Sequence, residues 1–133
     1  MKINHGQTED YNCAVFAIMF IFSLKGIPYK NWIEIEEELK PSKKNGTSHK
    51  MIMDYFDKKG LKYEISKNLN KSLLLVNYQF QGEGHYGVIV HRNNDLLWLF
   101  NPYNSIIEMM RERDFRELWY SKRYGKEWGL TLI

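Results

Sequence analysis

The sequence predicts an α+β fold, with helices first and an antiparallel sheet after them. Three observations carry that expectation. The first sixty residues hold three apolar segments of helical length or spacing, joined by short polar connections. After Gly60 the apolar residues fall into short runs with the period of strands. Turn-forming clusters then recur between those runs, as a meander requires.

Residues 1–12 are polar and rich in turn formers, so they read as a loop, with Asp10 or Asn12 available to cap the first helix. Residues 13–24 form a 12-residue run that is apolar on every face. Such a helix is surrounded by protein. Gly26 at the left-handed position and Pro28 two residues on stop it. A second helix is predicted over 29–39, with Trp32, Ile33, Ile35 and Leu39 as its apolar positions and Pro41 as its end. Thr47 or Ser48 caps a third, running to about residue 59, whose apolar face is Met51, Ile52, Tyr55 and Phe56. Strands are predicted over 61–65, 72–78, 85–91, 96–100 and 105–109. Residues 79–84 read as a polar loop with two glycines. Asn93-Asn94-Asp95 and Asn101-Pro102-Tyr103-Asn104 read as turns. Asp114 caps a last helix over 115–120, and 128–133 adds an edge strand.

A chain of 133 residues predicts one domain, 1–133, able to bury a core without a staple. The one cysteine suits a reducing compartment. The N-terminus lacks a signal-peptide apolar region, and a 12-residue apolar run is too short to span a bilayer. The expected location is cytoplasmic, and the chain is not expected to be an integral membrane protein. Net charge is +3, from 19 basic and 16 acidic residues, which excludes little. The pairs Lys43-Lys44 and Lys58-Lys59 read as solvated surface. No basic stripe interleaved with aromatics points to nucleic acid. No two histidines share a ligand spacing and Cys13 stands alone, so neither metal nor cofactor is expected.

The chemistry gathers around Cys13. It sits where a polar loop turns into the most apolar run, at the start of a helix. Backbone N–H groups and the helix dipole there favour a thiolate. Gln7, six positions upstream, can point its amide at a reacting carbonyl oxygen. His85 is the histidine placed best to act as base, after the 79–84 segment and at a strand start. Asn101 follows it by sixteen residues, one up-and-down hairpin, so its side chain can accept a hydrogen bond from the His85 ring and fix the tautomer. His5, His49 and His91 fit less well. Taken singly, each of these residues has a plainer reading, in packing, surface or a turn. The combination and its order carry the signal.

That order resembles the papain-like cysteine peptidases, and within them the small bacteriocin-processing, double-glycine-leader peptidase domains. Residues 7–14 look like the family's Gln and Asp-Cys-Gly box. Asn45-Gly46-Thr47-Ser48 is similar to its Gly-Thr-Ser helix start. Residues 84–90 look like its Gly-His-aromatic-Val strand. Asn101-Pro102 stands in the place of its Asp-Pro, and Phe115 with Trp119 resembles its closing helix. The departures are Asn12 and Ala14 about the cysteine and Asn101 for Asp. The resemblance implies a papain-like fold and a peptide or protein substrate. Cys13 is then nucleophile, His85 base, Asn101 its orienter, and Gln7 an oxyanion donor. Asn12, Gly84 and Tyr86 are the expected substrate-binding residues. A catalytically inactive peptide-binding domain, and an amidase or acyltransferase acting on a protein side chain, are the alternative readings.

Overall fold

A computed structural model describes residues 11–133, so Gln7 and Asp10 lie outside the described residues. Three helices come first: α1 (Cys13–Lys25), α2 (Trp32–Leu39) and α3 (His49–Lys58). They are followed by β1 (Tyr63–Ile65), β2 (Leu74–Phe80), β3 (Glu83–Asn93), β4 (Leu96–Asn101) and β5 (Ile106–Arg111). A short helix α4 (Glu112–Leu118), a small hairpin of β6 (Tyr120–Ser121) and β7 (Gly125–Lys126), and β8 (Gly129–Leu132) complete the order. The main sheet runs β1-β8-β2-β3-β4-β5 and every pair is antiparallel.

The sheet has two buried faces. Alternation sends Leu75, Tyr86, Val88 and Phe100 to one side, under α1. It sends Leu74, Val76, Tyr78, Ile89, Leu97 and Leu99 to the other, where Phe115 and Trp119 cover them. From α1, Val15, Phe16, Ile18, Ile21 and Phe22 are fully buried. Each such side chain contributes roughly 1.5–3 kcal/mol relative to exposure. The helix therefore stays fixed on the sheet, and its first residue with it. The far end of α1 is less enclosed than its composition predicts: Leu24 is 57% exposed. Gly26 ends the helix in the left-handed region, φ 71°, as expected.

Local signals set the other helix ends. The Ser48 hydroxyl accepts the Met51 N–H at 3.1 Å and caps α3. The Asn31 side chain accepts the Glu34 N–H at 3.0 Å, so α2 starts at Trp32, three residues later than predicted. Asp114 does not cap α4, because that helix already begins at Glu112 and Asp114 lies in its first turn.

Two strand expectations change. Residues 79–84 are not a loop. β2 and β3 continue to Phe80 and from Glu83, and only Gln81 and Gly82 turn the chain. Both have positive φ, 53° and 81°, the mirror-image turn whose twist matches paired strands. Residues 129–132 are not at an edge. β8 fills the slot between β1 and β2 and all four residues are buried.

Gly87 in β3 is small because nothing larger fits. A Cβ there would stand 2.8 Å from the Phe100 carbonyl oxygen and 2.9 Å from the Tyr78 ring. Gly87→Ala is expected to cost about 1–3 kcal/mol, read as a lower urea midpoint. An unchanged midpoint would show that β3 and β4 can separate freely here.

Candidate active site

Cys13 is the first residue of α1, and Asn12 is the residue before it in the cap position. The Asn12 side chain does not cap the helix. It is 0% exposed and donates through Nδ2 to Glu36 Oε1 of α2 at 3.1 Å. That bond ties the start of α1 to the neighbouring helix, and Asn12 does not line the cleft described below.

The thiol lies against β3. The Tyr86 backbone N–H donates to Cys13 Sγ at 3.5 Å. The sulfur thus sits at the peptide bond that joins His85 to Tyr86. Three main-chain N–H groups, of Tyr86, Ala14 and Cys13 itself, lower the thiol pKa. Burial outweighs them and pushes it up to about 11. The sequence expectation was the opposite. A helix dipole is worth up to about 2 kcal/mol, roughly 1.5 pKa units, whereas full burial can move a pKa by some 3–5 units. In the resting protein the thiol is therefore neutral. Alkylation by iodoacetamide is expected to accelerate through pH 9 and beyond, with no plateau below about pH 8. A plateau near neutrality would reveal a resting thiolate instead.

His85 and Asn101 meet on adjacent strands, with His85 Nε2 2.8 Å from Asn101 Oδ1. The same Oδ1 accepts the Tyr103 backbone N–H at 3.0 Å. A backbone N–H can only donate, so the atom that Tyr103 meets is the carbonyl oxygen of the Asn101 amide. Nε2 therefore carries a proton, and in the neutral ring Nδ1 carries the lone pair. Asn101 Nδ2 is buried without a hydrogen-bond partner among the described residues. The His85 ring packs on Phe80 at 4.7 Å and edge-on to Tyr78 at 5.5 Å, and Phe80 packs on Tyr103 at 5.3 Å. These aromatic walls fix the ring plane. His85 is the third residue of β3 and not its first.

Cys13, Gly84 and Tyr86 line a cleft of about 470 Å³; His85 does not. Behind Tyr86 is a polar network that spacing alone did not reveal. The Tyr86 hydroxyl donates to the Thr47 carbonyl at 2.9 Å and lies 2.7 Å from His49 Nδ1. Its single proton is committed to Thr47, so Nδ1–H of His49 donates to it. The His49 ring stacks on Trp128 at 3.9 Å, and its Nε2 is buried without a hydrogen-bond partner among the described residues. Burial lowers the His49 pKa from 6.5 to about 4. The unfolded chain then binds a proton below pH 6.5 that the folded chain refuses until about pH 4. Stability is full above pH 6.5 and falls as pH drops through that window. His49→Gln should flatten this part of the profile. Parallel wild-type and variant curves in urea titrations at pH 7, 5.5 and 4 would reject it.

The cleft also takes Asn77 from β2 and Ser121 to Tyr124 from the β6–β7 turn. Sequence reading missed these. Only the distant pairing of strands brings them beside Cys13, and no local motif marks them.

Helices that come first and pack on a large antiparallel sheet, with the cysteine at the start of the first helix, give the scaffold of the papain-like cysteine peptidases. The chain belongs to the peptidase C39 family, whose model matches residues 3–123. This is the bacteriocin-processing family that its motifs resemble. Among solved structures it is similar to the peptidase domain of Streptococcus ComA, a bifunctional ABC transporter involved in quorum sensing. The TM-score is 0.77 at 17% identity, covering 96% of this chain and 95% of that one. It is also similar to a double-glycine-motif protease from an AMS/PCAT transporter, solved in complex with the leader peptide. There the TM-score is 0.74 at 11% identity, covering 99% and 89%. The peptidase domain of Streptococcus mutans ComA matches with a TM-score of 0.58 at 18% identity, covering 74% and 83%. No curated protein sequence matches. Among the described residues, no helix is long and apolar enough to cross a membrane.

Proposed function

We propose that this peptidase works through Cys13, His85 and Asn101, with Gln7 as an oxyanion donor, and that its substrates are leader-bearing peptides cut after a double glycine. The observation that carries the triad is the 2.8 Å bond between His85 Nε2 and Asn101 Oδ1, next to the residue whose N–H meets the sulfur. With Nε2 so held, Nδ1 takes the thiol proton as Sγ bonds to the scissile carbonyl carbon. The carbonyl π electrons pass to oxygen, where Gln7 and the Cys13 N–H receive them. Collapse breaks the C–N bond, and the departing amine takes the proton from His85. Water, deprotonated by the same ring, then splits the thioester and regenerates the thiol. Tyr86 and Gly84 border the substrate, while Asn12 acts from behind by holding the α1 start.

Leader processing is supported by family membership and by the double-glycine protease among the similar structures. Its test is a synthetic leader peptide ending in Gly-Gly, incubated with the protein and read by mass spectrometry. Cleavage after the second glycine, lost when Gly-Gly becomes Ala-Ala, is expected. Cleavage elsewhere would keep the peptidase and remove the leader specificity.

A second reading, a peptide-binding domain without turnover, is favoured by the buried thiol with its raised pKa. Binding of the leader peptide with no product after prolonged incubation would select it.

A further inference from the structure

The Cys13 cleft has an uneven distribution of charge and hydrogen-bonding capacity. Four cations stand on its rim, Lys43, Lys44, Lys122 and Arg123, against one carboxylate, Glu83. All four are exposed, and none makes an ion pair among the described residues. They come from two tight turns. Ser42 and Gly46 pair across the first, N to O at 2.8 and 2.7 Å, and the Ser42 hydroxyl accepts the N–H groups of Lys44 and Asn45. In the second, the Ser121 hydroxyl accepts the N–H groups of Arg123 and Tyr124, both at 3.1 Å. Arg123 packs over the Tyr124 ring at 5.6 Å. The cations are therefore carried on braced backbone.

The floor beneath them is buried and polar. Thr47 and Asn77 line the same cleft and are 6% and 4% exposed, and Thr47 Oγ1 and Asn77 Oδ1 have no hydrogen-bond partner among the described residues. Leaving such atoms unpaired is costly, and an occupant of the cleft that reached them with a partner would relieve it. Asn77 Oδ1 can only accept, so it asks for an N–H. The Ser121 hydroxyl already accepts twice and has its own proton to give. Rim cations ask for anions. A ligand with backbone N–H groups and carboxylates satisfies all three. A phosphodiester backbone offers the charge without the N–H.

We infer that the cleft selects peptide substrates carrying acidic residues close to the scissile bond, with Lys43, Lys44, Lys122 and Arg123 reading the charge and Asn77 receiving a main-chain N–H. This rests on the reading of the cleft as the substrate groove, and its test does not depend on turnover.

The experiment uses the whole chain carrying Cys13→Ser and three fluorescein-labelled decapeptides of alanine and glycine. They carry three Glu, three Gln or three Lys. Binding is followed by fluorescence polarisation at 50 and 500 mM salt. The Glu peptide should bind about tenfold tighter than the Gln peptide at low salt, and the margin should shrink at high salt, since rim charges are screened. Lys122→Gln with Arg123→Gln should remove most of the margin, and Glu83→Gln should widen it. Lys25→Gln with Lys30→Gln makes the same change in net charge. Lys25 lies at the other end of α1, roughly 18 Å along the helix from Cys13, so this pair should leave the margin in place. Equal binding of the Glu and Gln peptides would overturn the proposal. So would equal losses from the two double variants, which would make the effect one of net charge alone. An RNA oligomer of matched charge binding as tightly as the Glu peptide would overturn it too. None of these outcomes touches the peptidase reading, which fails separately if wild-type protein leaves a complex peptide library uncut.

Discussion

Cys13→Ser is expected to abolish cleavage, lowering the rate by about 10⁴-fold or more, because the step that forms the acyl intermediate has no substitute nucleophile. Serine is the informative replacement. It keeps an acceptor for the Tyr86 N–H, which alanine would leave unpaired in the interior at a cost of about 1 kcal/mol. The variant should therefore unfold near the wild-type midpoint while product disappears. Mass spectrometry of a peptide library with wild type and variant side by side reads the effect. Product formed at comparable rates by both would take Cys13 out of the mechanism.

His85→Ala is expected to reduce cleavage by about 10³-fold or more, since both proton transfers pass through that ring. Asn101 grades the effect. Asn101→Ala leaves the His85 Nε2–H and the Tyr103 N–H without their shared acceptor, and should cost about 10–100-fold in kcat with little change in KM. Asn101→Asp keeps the acceptor geometry and places a negative charge beside the ring. That charge favours imidazolium, so the acid limb of the rate profile, below which His85 holds a proton and cannot act as base, should move to higher pH. If Asn101→Ala alters KM alone, the residue shapes the groove and does not steer the base.

The His85–Asn101 contact is legible in the sequence because a hairpin turns spacing into adjacency. Sixteen residues across one tight turn put two side chains on neighbouring strands, whatever packs around them. The α3 cap is legible for a similar reason, as Ser48 acts on a backbone group three residues away. The Gln81-Gly82 turn is not, because glutamine seldom adopts a positive φ and nothing local announces that it does so here. The thiol's state is hidden for a different reason. A helix start is a local property, but the burial that overrides it comes from β3, more than seventy residues on. Likewise Lys43-Lys44 reads as ordinary surface until the β6–β7 turn sets Lys122 and Arg123 on the same cleft.

The place of β8 governs when this enzyme can exist. Its four residues wedge between β1 and β2, so the sheet stays split until residue 132 has left the ribosome. Some fifty residues separate the end of β2 from the end of β8. At about 5–20 residues per second the nascent chain spends roughly 3–10 s with an unfilled slot beside β2. Through that interval the strand that carries Asn77 lacks one neighbour, and the groove over Cys13 has an unfinished floor.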